Sequence, residues 1–136
     1  MLIPELEGRL GCRFESLIDA TVNEIVSLKH IKVGILASPT TIHTKLYEIE
    51  LEGKGIAVLV PTEKEMEIIE ESIRNVISGK TSSVLRTQIV HIADTLTKRG
   101  AEAIILGCTE LSVMFAGEHD SRFIDPLTAI TRKLLP

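Results

Sequence analysis

Three short apolar runs, Ile31–Ala37, Ile56–Val60 and Ala103–Leu106, are separated by stretches in which apolar residues recur every three or four positions. Each such run reads as a strand, and Ala103–Leu106, bounded by glycines at 100 and 107, as a central strand of a parallel sheet. Helical periodicity between such runs supplies the crossovers that parallel strands require. The expected fold is therefore α/β, a mainly parallel sheet with flanking helices and right-handed connections. With 136 residues, 44% of them hydrophobic, the chain can bury one core and is expected to form a single domain. Aromatic residues make up only 3%, so Ile, Leu, Val and Ala must fill that core.

The punctuation between the runs places the helices. Residues 2–10 read as the tail of a helix, with Pro4 in a first turn and Gly8 or Gly11 ending it; Arg13–Leu17 reads as a short strand and 18–28 as a helix. Ser38-Pro39 offers an N-cap followed by proline at the first helical position, opening one helix that carries Ile42, Leu46 and Ile49 and ends at Gly53 or Gly55. Thr62 with Glu65 makes a capping box, and Met66, Ile69, Ile73, Val76 and Ile77 mark one face of the helix that follows. A further helix spans 82–98, with Leu85, Ile89, Ile92 and Leu96 as its stripe. Residues 115–121 read as a loop, 122–124 as a short strand, and Asp125-Pro126 as the cap of a final helix.

Charge and cysteine usage narrow the function classes. A net charge of −4 gives no basic footprint for nucleic acid. Two cysteines make no disulfide framework, and neither a secretory segment nor a bilayer-length apolar run is visible, so a cytoplasmic location without membrane association is expected. The glutamates at 63, 65, 67, 70 and 71 read as a solvated helix face; no His, Asp or Cys joins them at ligand spacing, so no metal is assigned.

Cys108 is the residue best placed for chemistry. It follows the strand Ala103–Leu106 and the turn at Gly107, and Thr109 is expected to cap the helix beyond it. Near a helix start the sulfur would meet unpaired N–H groups, an environment that favours thiolate. The competing reading is a free cysteine packed as a small hydrophobe. Ser38, Thr40 and Thr41 lie at the carboxyl end of another strand, where ligands of open α/β sheets gather, and serve equally well as capping residues. Cys12 reads as an incidental or structural thiol; His30, His43, His91 and His119 show no catalytic partner pattern.

The segment Gly-Ala-Glu-Ala-Ile-Ile-Leu-Gly-Cys-Thr-Glu-Leu at 100–111 closely resembles the second cysteine motif of the aspartate/glutamate racemase family. The resemblance extends to Val33-Gly34-Ile35-Leu36-Ala37-Ser38, Thr41, Leu46-Tyr47 and Ile124-Asp125-Pro126, from about Phe14 onward. It implies a cofactor-independent racemase in which two thiols on opposite faces of a small amino or carboxylic acid remove and replace the proton beside the carboxylate. By that resemblance Cys108 maps onto the second catalytic cysteine, Thr109 onto its substrate-binding neighbour and Thr41 onto a threonine that contacts the substrate carboxylate. Ser38, Thr40 and Glu110 join them as further binding residues, Glu110 also serving simply to complement the helix dipole. Lys80 lies near where some relatives place a lysine that pairs with a distal carboxylate, a position Ile77 can also occupy.

The family pattern joins two similar halves, each donating one cysteine. This chain carries only the second motif, so residues 1–30 are expected to be a remnant of the preceding half with its connecting helix, and 31–136 the second half. Three readings follow: a racemase whose opposing base comes from a homo-oligomer or a complementing half-domain; a non-catalytic module that binds a carboxylate or a protein partner; or a related decarboxylase or isomerase.

Overall fold

Ser16 opens the first helix by accepting a hydrogen bond from the Asp19 N–H at 3.2 Å, and α1 runs Leu17–Ser27. The structure is a computed structural model describing residues 16–80, 82–118 and 120–135. The expected helix over 2–10, most of the strand expected at 13–17, Cys12 and His119 lie outside the described residues. Leu17 itself is helical rather than extended, because the Ser16 cap starts the helix there.

Four strands form one parallel sheet in the order β2-β1-β3-β4, with β1 at Lys32–Leu36, β2 at Ala57–Leu59, β3 at Ala103–Leu106 and β4 at Phe123–Ile124. The central pair is the most apolar: Val33, Ile35 and Leu36 of β1 and all four residues of β3 are buried. Alternate side chains serve two cores. Val33, Ile35, Ala103 and Ile105 pack with Val22, Ile25, Tyr47 and Leu51 on one face. Leu36, Ile104 and Leu106 pack with Ile69, Ile89, Ile92, Leu96 and Leu111 on the other. Burial on both faces is what a continuous apolar run encodes.

The helix expected from Ser38 onward is two helices, α2 (Pro39–His43) and α3 (Leu46–Glu52). The Thr44 hydroxyl donates to the carbonyls of Thr40 and Thr41, at 2.9 and 3.2 Å, and Lys45 adopts a left-handed conformation with φ 56°. Local hydroxyl bonding competes with helix propagation, and the left-handed residue turns the chain. The expected stripe is therefore corrected beyond Ile42: Leu46 and Ile49 are 48% and 62% exposed, while Tyr47, Glu48 and Leu51 face inward. Glu48 carries a buried Oε1 without a hydrogen-bond partner among the described residues, and burial raises its carboxyl above the usual range.

The capping box is formed at the start of α4 (Glu63–Ile77): Thr62 N–H donates to Glu65 Oε1 at 2.9 Å and Glu65 N–H to Thr62 Oγ1 at 3.2 Å. Met66, Ile69 and Ile73 are buried as expected, joined by Ser72, whose hydroxyl donates to the Ile68 carbonyl at 2.9 Å. Ile77, at the helix end, is exposed instead. Helix α5 (Ser83–Lys98) buries Leu85, Ile89, Ile92 and Leu96, as its spacing predicts. After β3 come α6 (Thr109–Met114), the loop leading to β4, and α7 (Pro126–Leu134), which packs against α1. Among the described residues no helix is long and apolar enough to cross a membrane.

Candidate active site

Connectivity puts the two central strands in a special relation. The chain passes from β1 to β2 on one side and returns past β1 to β3 on the other, so strand order reverses between β1 and β3. In open α/β sheets the crevice at the carboxyl ends of such a strand pair is where ligands bind. Leu36 and Leu106 stand in register as the last residues of these strands, so the segments beginning at Ala37 and Gly107 emerge side by side. Gly107 N–H donates to the Leu36 carbonyl at 2.8 Å. A Cβ at Gly107 would lie 3.0 Å from Ala37 Cβ and 3.3 Å from the Leu36 oxygen, so glycine permits this close exit.

Cys108, half-buried, occupies the cap position of α6 with φ −144° and ψ 133°, and Thr109 is the first residue of that helix. The expected Thr109 cap is thus displaced by one residue, because the chain remains extended through Cys108. The Cys108 thiol donates to Glu110 Oε2 at 2.6 Å, and the Thr109 hydroxyl donates to the same oxygen at 3.2 Å. Burial, followed by this hydrogen bond to Glu110, pushes the thiol up to about 11. The expected preference for thiolate is reversed. Backbone N–H groups of Glu110 and Leu111 do favour the thiolate, but burial first, and then the hydrogen bond to the Glu110 carboxylate, outweigh them. Reciprocally, the thiol holds the Glu110 carboxyl below its ordinary range.

At the neighbouring strand end, Ser38 caps α2: its Oγ accepts the Thr41 N–H at 3.3 Å and lies 3.0 Å from Thr41 Oγ1. Capping is therefore realised at Ser38, and the same geometry pairs two hydroxyls beside the exit of β3. Thr40 is exposed, and its carbonyl accepts the Thr44 N–H and hydroxyl. Lys80 sits apart from these groups. It is exposed in the α4–α5 connection and lines a recess of about 460 Å³ with Ser82, Ser83, Arg86, Val113 and Met114, a lining that includes none of Ser38, Thr41 and Cys108. His43 is exposed, and His30 faces Glu102 at 3.5 Å at the opposite end of the sheet.

Three contributors were not named as site residues from sequence, where Asp125 was read only as a helix cap. Tyr47 is buried, and its phenol is raised first by that burial and then by the ionisable groups of Asp125 and Cys108. Asp125 Oδ1 accepts the Ser112 hydroxyl and the Leu127 N–H, each at 2.9 Å, tying α6 to the start of α7. Tyr47 and Asp125 stand within the matching segments of the family resemblance, whereas Ser112 carried no signal beyond its place four residues after Cys108.

A thiol with a carboxylate in contact, beside a hydroxyl pair on the adjacent strand end, can exchange a proton and receive a small anion. A protein from Pectobacterium carotovorum subsp. carotovorum, described only as uncharacterized and located in a pnlA 3′ region, is 32% identical over 127 residues, covering 90% of this chain and 84% of that one. An aspartate racemase homologue from Pyrococcus horikoshii superposes with a TM-score of 0.80 at 29% identity, over 98% of this chain and 60% of that one. Picrophilus torridus aspartate racemase shares the fold, with a TM-score of 0.71 at 20% identity, over 89% of this chain and 53% of that one. The chain thus spans little more than half the length of these solved relatives. The family model for Asp/Glu/Hydantoin racemase matches residues 1–134, and the chain belongs to that family.

Proposed function

We propose that this chain provides one half of a racemase-type site in which Cys108 exchanges a proton with the α-carbon of a small acidic amino acid of the aspartate or glutamate class. The observation that carries the reading is the placement of Cys108 at the carboxyl end of β3, beside the Ser38–Thr41 hydroxyl pair at the end of β1. The proton beside a carboxylate is weakly acidic, so its removal needs donors that hold the developing enediolate charge as well as a positioned base. Ser38, Thr41 and Thr109 supply hydroxyl donors in this reading, and Cys108 supplies the group that gives or takes the proton. The opposing acid–base comes from a second α/β half, either another copy or a complementing segment. One point supports this: the solved relatives extend well beyond the matched region.

The test is deuterium incorporation at the α-carbon of D- and L-aspartate and glutamate in D2O, with Cys108→Ala as control. Exchange that requires Cys108 supports the proposal. No exchange at high protein concentration, with either enantiomer, overturns it. The thiol held protonated to about 11 favours a second reading, a carboxylate-binding module without turnover. Calorimetric titration with dicarboxylic acids separates the two, since binding without exchange selects the second.

A further inference from the structure

We infer that Ser112 and Asp125 are positioning residues for the strand-end thiol: their hydrogen bond sets the rotation of α6 about its own axis, and with it the direction in which Cys108 faces the crevice. The inference rests on the racemase-type reading only for its effect on turnover. Helix α6 holds six residues, too few to keep its course by its own hydrogen bonds, so tertiary anchors must fix it. It buries two side chains, Leu111 and Ser112. Leu111 enters the core shared with Ile69 and Ile104, and an apolar contact of that kind has no preferred direction. Ser112 lies about 100° further round the helix, and its hydroxyl donates to Asp125 Oδ1 at 2.9 Å, across thirteen residues of chain. One apolar anchor leaves a short helix free to turn; a second that is directional does not.

The far end of the anchor is itself held. The Leu127 N–H donates to the same Asp125 oxygen at 2.9 Å, and Ile124, the residue before Asp125, is buried in one core with Tyr47 and Ile105. At the near end, the Ser112 N–H donates to the Cys108 carbonyl at 3.3 Å, so the anchored residue and the cap are joined by a hydrogen bond. Among the described residues the Cys108 sulfur hydrogen-bonds Glu110, and neither Ser112 nor Asp125, so the pair acts through the helix and not on the thiol. Glu110 is carried by α6 as well, and turning the helix moves thiol and carboxylate together. The Ser38–Thr41 hydroxyl pair stands on α2 and does not move with them.

The test compares Ser112→Ala, Ser112→Thr, Asp125→Ser and the Ser112→Ala/Asp125→Ser double variant in the α-carbon exchange assay, each well below its melting temperature. Asp125→Ser keeps a capping residue at the start of α7 but is too short to reach Ser112. Ser112→Ala is expected to lower kcat roughly 10- to 100-fold with KM within about threefold, because the proton-transfer group is misplaced while the carboxylate donors are not. Asp125→Ser is expected to match it, the double variant to be no slower than either single one, and Ser112→Thr, which keeps the hydroxyl, to recover most of the loss. Parental kcat in Ser112→Ala, a loss confined to KM, additive losses in the double variant, or a threonine as slow as alanine overturns the inference. If the parent shows no exchange, the racemase-type reading fails and spectroscopy still decides the positioning. Tyr47 is the one tyrosine of a chain without tryptophan, it is buried, and the ionisable groups of both Asp125 and Cys108 act on its phenol. Near-UV circular dichroism in the tyrosine band therefore reads this corner of the fold. Ser112→Ala is expected to lose intensity there and Ser112→Thr to regain it, with the far-UV spectrum unchanged; a Ser112→Ala band identical to the parent's overturns the inference.

Discussion

Replacing Gly107 with alanine tests whether the close exit of β1 and β3 builds the site. The new Cβ would lie 3.0 Å from Ala37 Cβ, 3.3 Å from Ile35 Cδ1 and 3.3 Å from the Leu36 carbonyl oxygen. Ile35 can yield through its side-chain rotamer. Ala37 Cβ and the Leu36 carbonyl move only with the backbone, and that carbonyl is fixed by the Gly107 N–H at 2.8 Å. Overpacking a rigid contact costs about 1–3 kcal/mol. Against it stands the reduced freedom of the unfolded chain, about 0.4–1 kcal/mol in favour of alanine. The net expectation is a loss of between about 0 and 2.6 kcal/mol, near 1.3 kcal/mol at the middle of both ranges, measured by urea denaturation with an unchanged slope. Gly53→Ala is the matched control: its φ of −60° suits any residue, and the nearest atoms to a Cβ are at 3.4 and 3.5 Å, an ordinary contact. Gly53→Ala is expected to leave stability unchanged or raise it slightly. If Gly107→Ala is as stable as the parent, the strand exits are not as tightly joined as the distances require, and the argument for a preformed crevice beside Cys108 fails.

The turn at Lys45 predicts that Leu51→Ala costs about 2–5 kcal/mol, whereas Ile49→Ala, on the exposed face of α3, changes stability by less than about 0.5 kcal/mol; thermal or urea unfolding of the two variants decides it, and a single helix with Ile49 inward would reverse the order. For pH, Arg122 hydrogen-bonds Asp120 Oδ2 at 2.8 Å and holds that carboxyl below its ordinary range. A depressed carboxyl stabilises the fold above its unfolded pKa and loses that contribution as pH falls through its folded pKa. Arg122→Met is therefore expected to narrow the parent–variant stability difference as pH falls below about 4, checked by urea midpoints across acid pH; a difference that does not change with pH would remove Asp120 from the argument.

The apolar runs, the Thr62–Glu65 box, the stripe of α5 and the Asp125 cap were legible because each depends on residues within a few positions of one another. The parallel sheet followed from their alternation, and the Cys108 neighbourhood from a twelve-residue segment whose resemblance extended along most of the chain. Where sequence reasoning failed, a weak local preference met a stronger interaction. The stripe of Ile42, Leu46 and Ile49 was broken by Thr44 hydroxyl bonding and the left-handed Lys45. Ser112 gave no sign of its bond to Asp125, thirteen residues away, because that pairing exists only once α6 and α7 are in place.

By itself the sequence determined the α/β class, the family and the thiol at a strand end, since local periodicity and an extended matching motif suffice for these. Tertiary structure decided which strands are neighbours, and so that Ser38 and Thr41 stand beside the Cys108 exit. It also decided the state of the thiol. Helix-start position favours thiolate in the sequence, but burial and a carboxylate at 2.6 Å are three-dimensional facts, and both act to keep the proton on sulfur.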